Sequence, residues 1–257
     1  KQLKMPVPPL DTQKRIADAL DKAQELIDRR KQQIEMLDEF LQSVFLDMFG
    51  DLAENTKQWD VKRLGSVARL QGGYAFKSSD YQSAGIKLVK IANVHRESLD
   101  WSEISYLPSE YLDEYSAYRL NEGDVLMAMT RPIIKSLASV KVVRARQDDL
   151  PCLLNQRVGR FQIVDPELSH EYLYQFCLSN YFRNEVEKLS SVSLQPNVSS
   201  RQISGIPIPL PPREMQMKFK KLAVRLEPQK ELMRQSLLEM ENAFNSIMQR
   251  AFKGELF

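Results

Sequence analysis

The chain has 257 residues, 43% of them hydrophobic and 27% charged, with a mean hydropathy of −0.40. That length and balance fit one large domain or two modest ones and exclude a disordered chain. No apolar run reaches the roughly 18 residues that a bilayer span needs, and two cysteines with two histidines are too few for a Cys/His zinc cluster. A net charge of +2 excludes a nonspecific polycation, and Cys152 and Cys177 make no paired framework, so they read as reduced thiols of a cytoplasmic protein.

Residues 1–50 form the first predicted segment. Lys1 to Pro6 contain no apolar core of a signal peptide, and without an initiator methionine the chain reads as a piece of something longer. Pro6, Pro8 and Pro9 force an extended lead-in, and a helix follows with Asp11 in its first turn, where the helix dipole favours an anion. Ile16, Leu20, Ala23, Ile27, Ile34, Leu37, Leu41, Val44 and Met48 recur at alternating steps of four and three, with Arg30 the polar intruder. This is a heptad stripe. Asp11 to Phe49 is 39 residues, or about 58 Å of helix.

From 51 to 205 the heptad period vanishes, and glycine, aromatic and β-branched residues take over. Ile86–Val94, Asp124–Thr130, Leu137–Ala145 and Arg157–Val164 read as strands. Ser169–Leu189 reads as one helix with Ser169 as its N-cap. Gln71–Lys77 and Ser193–Arg201 read as loops, and Gly72-Gly73 as a place where backbone can approach a partner. The middle segment is therefore a mixed α/β (α+β) domain.

Residues 206–257 repeat the beginning. At an offset of 203, Pro209-Leu210-Pro211-Pro212-Arg213-Glu214-Met215-Gln216 falls on Pro6 to Gln13, and the register holds through Phe252 on Phe49. The second stripe is Phe219, Ala223, Leu226, Met233, Leu237, Met240, Phe244, Ile247 and Ala251, broken by Lys230, and Pro228 is expected to kink or interrupt the helix. Two helices that must each bury one stripe pack most simply on each other as a coiled coil, in either direction. Taken alone, heptads favour a structural stalk; duplicated arms around one domain favour quasi-symmetry and equivalent partner surfaces.

Catalytic motifs are missing from the sequence. There is no phosphate-binding loop and no nucleophile elbow. Asp60-x-Lys62 resembles a nuclease pair only faintly and reads first as a solvated loop pair; His95 and His170 are isolated. The charge, however, is segregated: residues 97–124 hold eight acids against Arg119, while residues 130–160 hold Arg131, Lys135, Lys141, Arg144, Arg146, Arg157 and Arg160 against Asp148 and Asp149. With Asn155 and Gln156 beside them, these are residue types that contact phosphates and read base edges; a merely basic strand face is the equal alternative.

The paired Pro-x-Pro-Pro-x-acidic-x-Gln motifs, each opening a long helix, and the tail Phe252-Lys253-Gly254-Glu255-Leu256 resemble the repeated regions of type I restriction-modification specificity subunits. Between them Trp59-x5-Gly65, Gly72-Gly73-x2-Phe76, Gly123-Asp124-Val125-Leu126, Gln156-Arg157-Val158 and Asn197-x5-Ile203-x2-Ile206-Pro207-Ile208-Pro209 look like that family's target recognition domain, in the expected order. The resemblance implies a non-catalytic reader of double-stranded DNA with no cofactor or metal. It implies helices that space two half-site readers, methyltransferase subunits docked on those helices, a restriction and translocase subunit in the full complex, and no membrane. This chain departs from the pattern in holding one recognition domain, so the expectation is one half-site, the 3-prime one, read by the carboxyl-terminal portion of a longer subunit. A half-length subunit that pairs with a second copy through its helices is the other form. Residue type and loop position nominate Gln71, Tyr74, Lys77, Asn93, Arg96, Arg131, Lys135, Arg157, Gln195, Asn197 and Arg201 for DNA contact. Competing functions are a coiled-coil interaction scaffold without specific DNA reading and a self-contained nuclease or methyltransferase.

Overall fold

The structure is a computed structural model and describes residues 8–95, 98–129, 140–190 and 198–255. In chain order the elements are α1 (Leu10–Phe49), β1 (Asp60–Arg63), α2 (Leu64–Val67), β2 (Ala68–Gly72), β3 (Ile86–Val89), β4 (Tyr106–Leu107), α3 (Tyr111–Glu114) and β5 (Val125–Ala128). They continue as β6 (Val142–Arg144), β7 (Cys152–Leu154), β8 (Val158–Ile163), α4 (His170–Leu178), α5 (Asn180–Ser190), α6 (Ser200–Ser204), β9 (Pro207–Leu210) and α7 (Arg213–Lys253). They fall into two compact units, residues 1–44 with 221–257, and Phe45–Lys220.

The helical unit follows the heptads. Ile27, Ile34 and Leu41 of α1 are buried, and Ile16, Leu20, Ala23, Leu37 and Val44 are half-buried, whereas most residues between them are exposed, Ala19, Arg30 and Asp38 being half-buried exceptions. In α7 the predicted stripe from Ala223 to Ala251 is half-buried throughout. Asp38 of α1 pairs with Lys230 of α7 and Lys31 with Glu241, so residue numbers rise along one helix as they fall along the other: the pair is antiparallel. Pro228 does not interrupt α7, which runs 41 residues through it. Its missing N–H removes one rung of the ladder, and an exposed face supplies water to the carbonyl left over.

Both copies of the proline motif use their glutamine in the same way. Gln13 Nε2 donates to the Pro8 carbonyl and Gln216 Nε2 to the Pro211 carbonyl, each at 2.8 Å and five residues back, which folds the extended lead-in against the first helical turn. Gln216 is buried, and its amide also accepts from the Ser169 N–H and donates to the Glu167 carbonyl.

The Phe45–Lys220 unit holds three sheets among the described residues. One is four-stranded, in the order β2-β8-β5-β6 and antiparallel throughout; a second, β4-β3-β7, joins an antiparallel to a parallel pair; the third is the antiparallel ribbon β1-β9. Val89, Leu126, Val143, Cys152, Leu154 and Val158 meet in a core under the first two sheets. The last turn of α1 and the first turns of α7 belong to this unit: Phe45, Phe49, Tyr172 and Phe219 pack with ring centroids 4.8–5.7 Å apart. The carboxyl end of α1 is closed by Gly50, whose φ of +78° suits a residue without Cβ, and by Trp59, whose Nε1 donates to the Phe49 carbonyl at 2.8 Å.

Several predicted boundaries change. Ser169 caps α4 as expected, accepting from the Tyr172 N–H, but the single helix expected over 169–189 breaks at Ser179. Ser179 is extended (ψ 151°); its hydroxyl donates to the Phe176 carbonyl and accepts from the Phe182 N–H, ending α4 and opening α5. The run expected as one strand over 86–94 is strand only to Val89 and then a 3-10 turn over Ile91–Asn93. Of the strand expected at 137–145, Val142–Arg144 is found, and 137–139 lie outside the described residues. Asp60 and Lys62 lie in β1, not in a loop; Lys62 donates to Asp165 at 2.8 Å, and that hydrogen bond, with the Glu167 N–H, holds the Asp165 carboxyl below the usual range.

Candidate nucleic-acid interface

One end of the β2-β8-β5 sheet gathers segments that are far apart in sequence. Past the last β2-β8 pair, Gly72 with Gly159, the Gly73 N–H donates to the Val158 carbonyl at 3.0 Å and the Tyr74 N–H to the Leu154 carbonyl at 3.0 Å. The Gln156 N–H returns a bond to the Tyr74 carbonyl at 2.8 Å. Asn155–Val158 form a turn closed at 3.2 Å, with Arg157 in the left-handed region at φ +70°, a conformation that a non-glycine residue holds only under constraint. The Arg157 carbonyl accepts from the Met129 N–H, and the Met129 carbonyl from the Val198 N–H, at 2.8 and 3.1 Å. Met129 and Val198 are thereby tied to this end of the sheet by main-chain bonds.

Gly73 is what allows the crossing. A Cβ there would lie 2.2 Å from the Asn155 carbonyl oxygen and 2.5 Å from that of Leu154, so the close approach expected at Gly72-Gly73 is made to this chain's own backbone. Gly73→Ala is expected to cost about 1–3 kcal/mol of stability and to loosen Tyr74. Gly72→Ala, with nothing within 4 Å of its added Cβ, should melt like the parent. Equal melting temperatures for the two variants would contradict this account.

The nominated residues divide. Tyr74 is 39% exposed at this end, and Lys77, Arg157 and Arg201 are exposed, Arg201 in the first turn of α6 shortly after Val198. Asn93 is a correction: it is 2% exposed, and its amide is used up inside the fold, accepting from the Lys90 N–H and donating to the Asp100 and Glu103 carbonyls. Gln71 is likewise engaged at both ends, donating to the Ala117 carbonyl and accepting from Arg160 and Gln162. Arg96, Arg131, Lys135, Gln195 and Asn197 lie outside the described residues.

The basic segment is not one face. Arg160 is 7% exposed; its guanidinium meets Asp124 at 3.2 Å, Gln71 at 2.6 Å and the carbonyls of Arg119 and Ala117 at 2.7 and 3.0 Å. Arg144 lies over the Tyr174 ring at 5.4 Å. Among the described basic residues of this segment, Lys141, Arg144 and Arg146 are half-buried and Arg157 is exposed.

Two features of this region escaped the sequence reading. Tyr74, Phe76, Tyr111, Tyr115 and Tyr118 form one aromatic cluster with neighbouring centroids 4.7–6.0 Å apart, and Tyr74 is the most exposed of them. Burial, with hydrogen bonding to Glu114 and Tyr74, pushes the Tyr115 hydroxyl far up. Beside Tyr74, Asn155 is 8% exposed, and its Oδ1 has no hydrogen-bond partner. Among the described residues, no three His, Cys, Asp or Glu side chains gather where they could hold one metal ion.

The sequence matches the family described as type I restriction modification DNA specificity domain over residues 56–241. It is 30% identical over 268 residues to the type I restriction enzyme MjaVIII specificity subunit of Methanocaldococcus jannaschii, covering 100% of this chain and 63% of that protein. To the EcoAI specificity subunit of Escherichia coli it is 32% identical over 158 residues, 62% of this chain and 26% of that one. Among solved structures, the type I restriction-modification system S subunit from M. genitalium superposes with a TM-score of 0.60 at 14% identity, over 95% of this chain and 61% of that one, a likeness of fold. This chain belongs to the type I restriction-modification DNA specificity family. It spans about 63% of the length of its M. jannaschii relative.

Proposed function

We propose that this chain is the sequence-reading part of a type I restriction-modification specificity subunit, itself without catalytic chemistry and working in the cytoplasm. In this reading the 51–205 segment contacts one half of a bipartite site in double-stranded DNA. The helices of 1–50 and 206–257 hold that reader at a set distance from a second one and dock methyltransferase subunits, with the restriction subunit joining the full complex. The observation that supports it most is the meeting of four stretches at one sheet end, where Tyr74 and Arg157 are exposed and Met129 and Val198 are tied in by main-chain hydrogen bonds. Reading a base-pair sequence needs donors and acceptors delivered together from several directions, and Arg paired with guanine is the commonest such contact. A near-neutral chain is compatible with this when partner subunits supply much of the grip on phosphate.

The test is selection from a random duplex library by the complex assembled with methyltransferase subunits, at fixed salt, with the methylated positions mapped. Enrichment of one short fixed motif attributable to this unit is the expected result. Retention that shows no sequence preference and disappears as salt rises would overturn the reading in favour of an interaction scaffold.

A further inference from the structure

The stripe between α1 and α7 contains one buried ion pair. Lys230 is 5% exposed, sits at a heptad position of α7 and pairs with Asp38 of α1, whose second carboxylate oxygen has no partner. At the 203-residue offset Lys230 falls on Ile27, an apolar residue 3% exposed. The same offset maps Asp38 onto Glu241 and Lys31 onto Arg234. If the antiparallel pair kept its internal two-fold, Asp38 would take Arg234 as Glu241 takes Lys31. Instead Arg234 is held by Glu227 and Glu231 on its own helix, and Asp38 turns to Lys230. The exchange of Ile27 for Lys230 breaks the symmetry of the seam, and Arg30, which falls on Met233 at the same offset, is a second polar mismatch along it.

We infer that the Asp38–Lys230 pair, with Lys31–Glu241 beside it, is the register lock of the helical pair and so, on the proposed function, a positioning determinant of the distance between half-sites. A stripe of Ile, Leu and Met tolerates sliding by a heptad, because each apolar side chain finds another. A polar residue at one such position specifies register at some expense of stability. Slipping α1 by one heptad in one direction sets Lys230 against Lys31, two cations; in the other direction it takes Lys230 off Asp38 and brings Glu241 onto Asp38, two carboxylates. Either slip leaves like charges in a shielded seam. One heptad is about 10 Å of helix, close to three base pairs of DNA.

The experiment uses the full chain with nitroxide labels at Leu26→Cys and Leu238→Cys, positions 54% and 59% exposed; the native Cys152 and Cys177 are buried and take no label. Dipolar spectroscopy should give a single label-to-label distance in the parent. In the Asp38→Leu, Lys230→Leu double variant, a second population displaced by about 10 Å is expected, with helicity retained. The charge-conserving variant Asp38→Glu, Lys230→Arg, which keeps like charges facing in either slipped register, should keep one distance. A single unchanged distance in the double-leucine variant overturns the lock, and so does a charge-conserving variant as heterogeneous as the leucine one. Site selection by the assembled complex separates the two claims. Two distances in the leucine variant with an unchanged spacer in the selected DNA uphold the lock while removing the spacer role from the helical pair.

Discussion

Arg160→Ala is expected to destabilise the Phe45–Lys220 unit by about 3–5 kcal/mol, the range for removing one partner of a buried ion pair. The side chain is 7% exposed and bridges four groups: the Asp124 carboxylate, the Gln71 amide, and the carbonyls of Arg119 and Ala117. Deleting it strands Asp124 in a shielded position and takes the guanidinium donor from the Arg119 carbonyl, while the Ala117 carbonyl and the Gln71 amide oxygen keep Gln71 and Gln162 as donors. The network ties β8 to β2 and to the 117–124 turn, so the loss should spread to the whole unit. Urea denaturation followed by circular dichroism measures it. Arg160→Lys should recover only part of the loss, because one ammonium cannot span the fork that a planar guanidinium fills. A shift below about 1 kcal/mol for Arg160→Ala would mean that the network is redundant.

Three positions earlier the same residue type should behave in the opposite way. Arg157→Gly is expected to leave stability unchanged or raise it by about 1 kcal/mol, since glycine accepts φ +70° without the strain that arginine bears there. Specific DNA binding by the assembled complex should nonetheless fall roughly tenfold to a hundredfold, as for the loss of one bidentate base contact. The manner of the loss assigns the contact. Relaxed preference at one base pair marks a base edge; a uniform loss with a shallower salt dependence marks a phosphate. Parental affinity and parental salt slope together would remove Arg157 from the interface.

These two arginines show where sequence reading stops. Both sit in the basic run that counting singles out, yet one is spent inside the fold and the other faces outward, and only long-range pairing tells them apart. Asp124 lies 36 residues from Arg160, and Gln71 lies 89 away. The helical pair was legible because its periodicity is local, and even its break at Lys230 stands out against the stripe. Its direction was not legible; that comes from which charges meet across the seam. The β1-β9 ribbon stayed hidden because Pro207 and Pro209 lower the strand signal of a segment that pairs along one edge only. The aromatic cluster stayed hidden because Tyr74 and Phe76 meet Tyr111, Tyr115 and Tyr118 across some forty residues of chain. Asn93 had the right residue type in a plausible turn, and the structure spends its amide holding that turn together.

The ties that assemble the sheet end are all between main-chain atoms: Tyr74 to Leu154, Gln156 to Tyr74, Met129 to Arg157 and Val198 to Met129. Such bonds are indifferent to the side chains above them, provided that Gly73 keeps the crossing open. Geometry and message are therefore stored in different atoms. The exposed side chains at 156 and 157 are free to be exchanged without redrawing the scaffold that presents them, whereas Tyr74 is tied by its ring to Phe76, Tyr115 and Tyr118. On the proposed function, a new specificity would then draw on new side chains over an unchanged main-chain scaffold, at a stability cost set by each residue's own backbone preference.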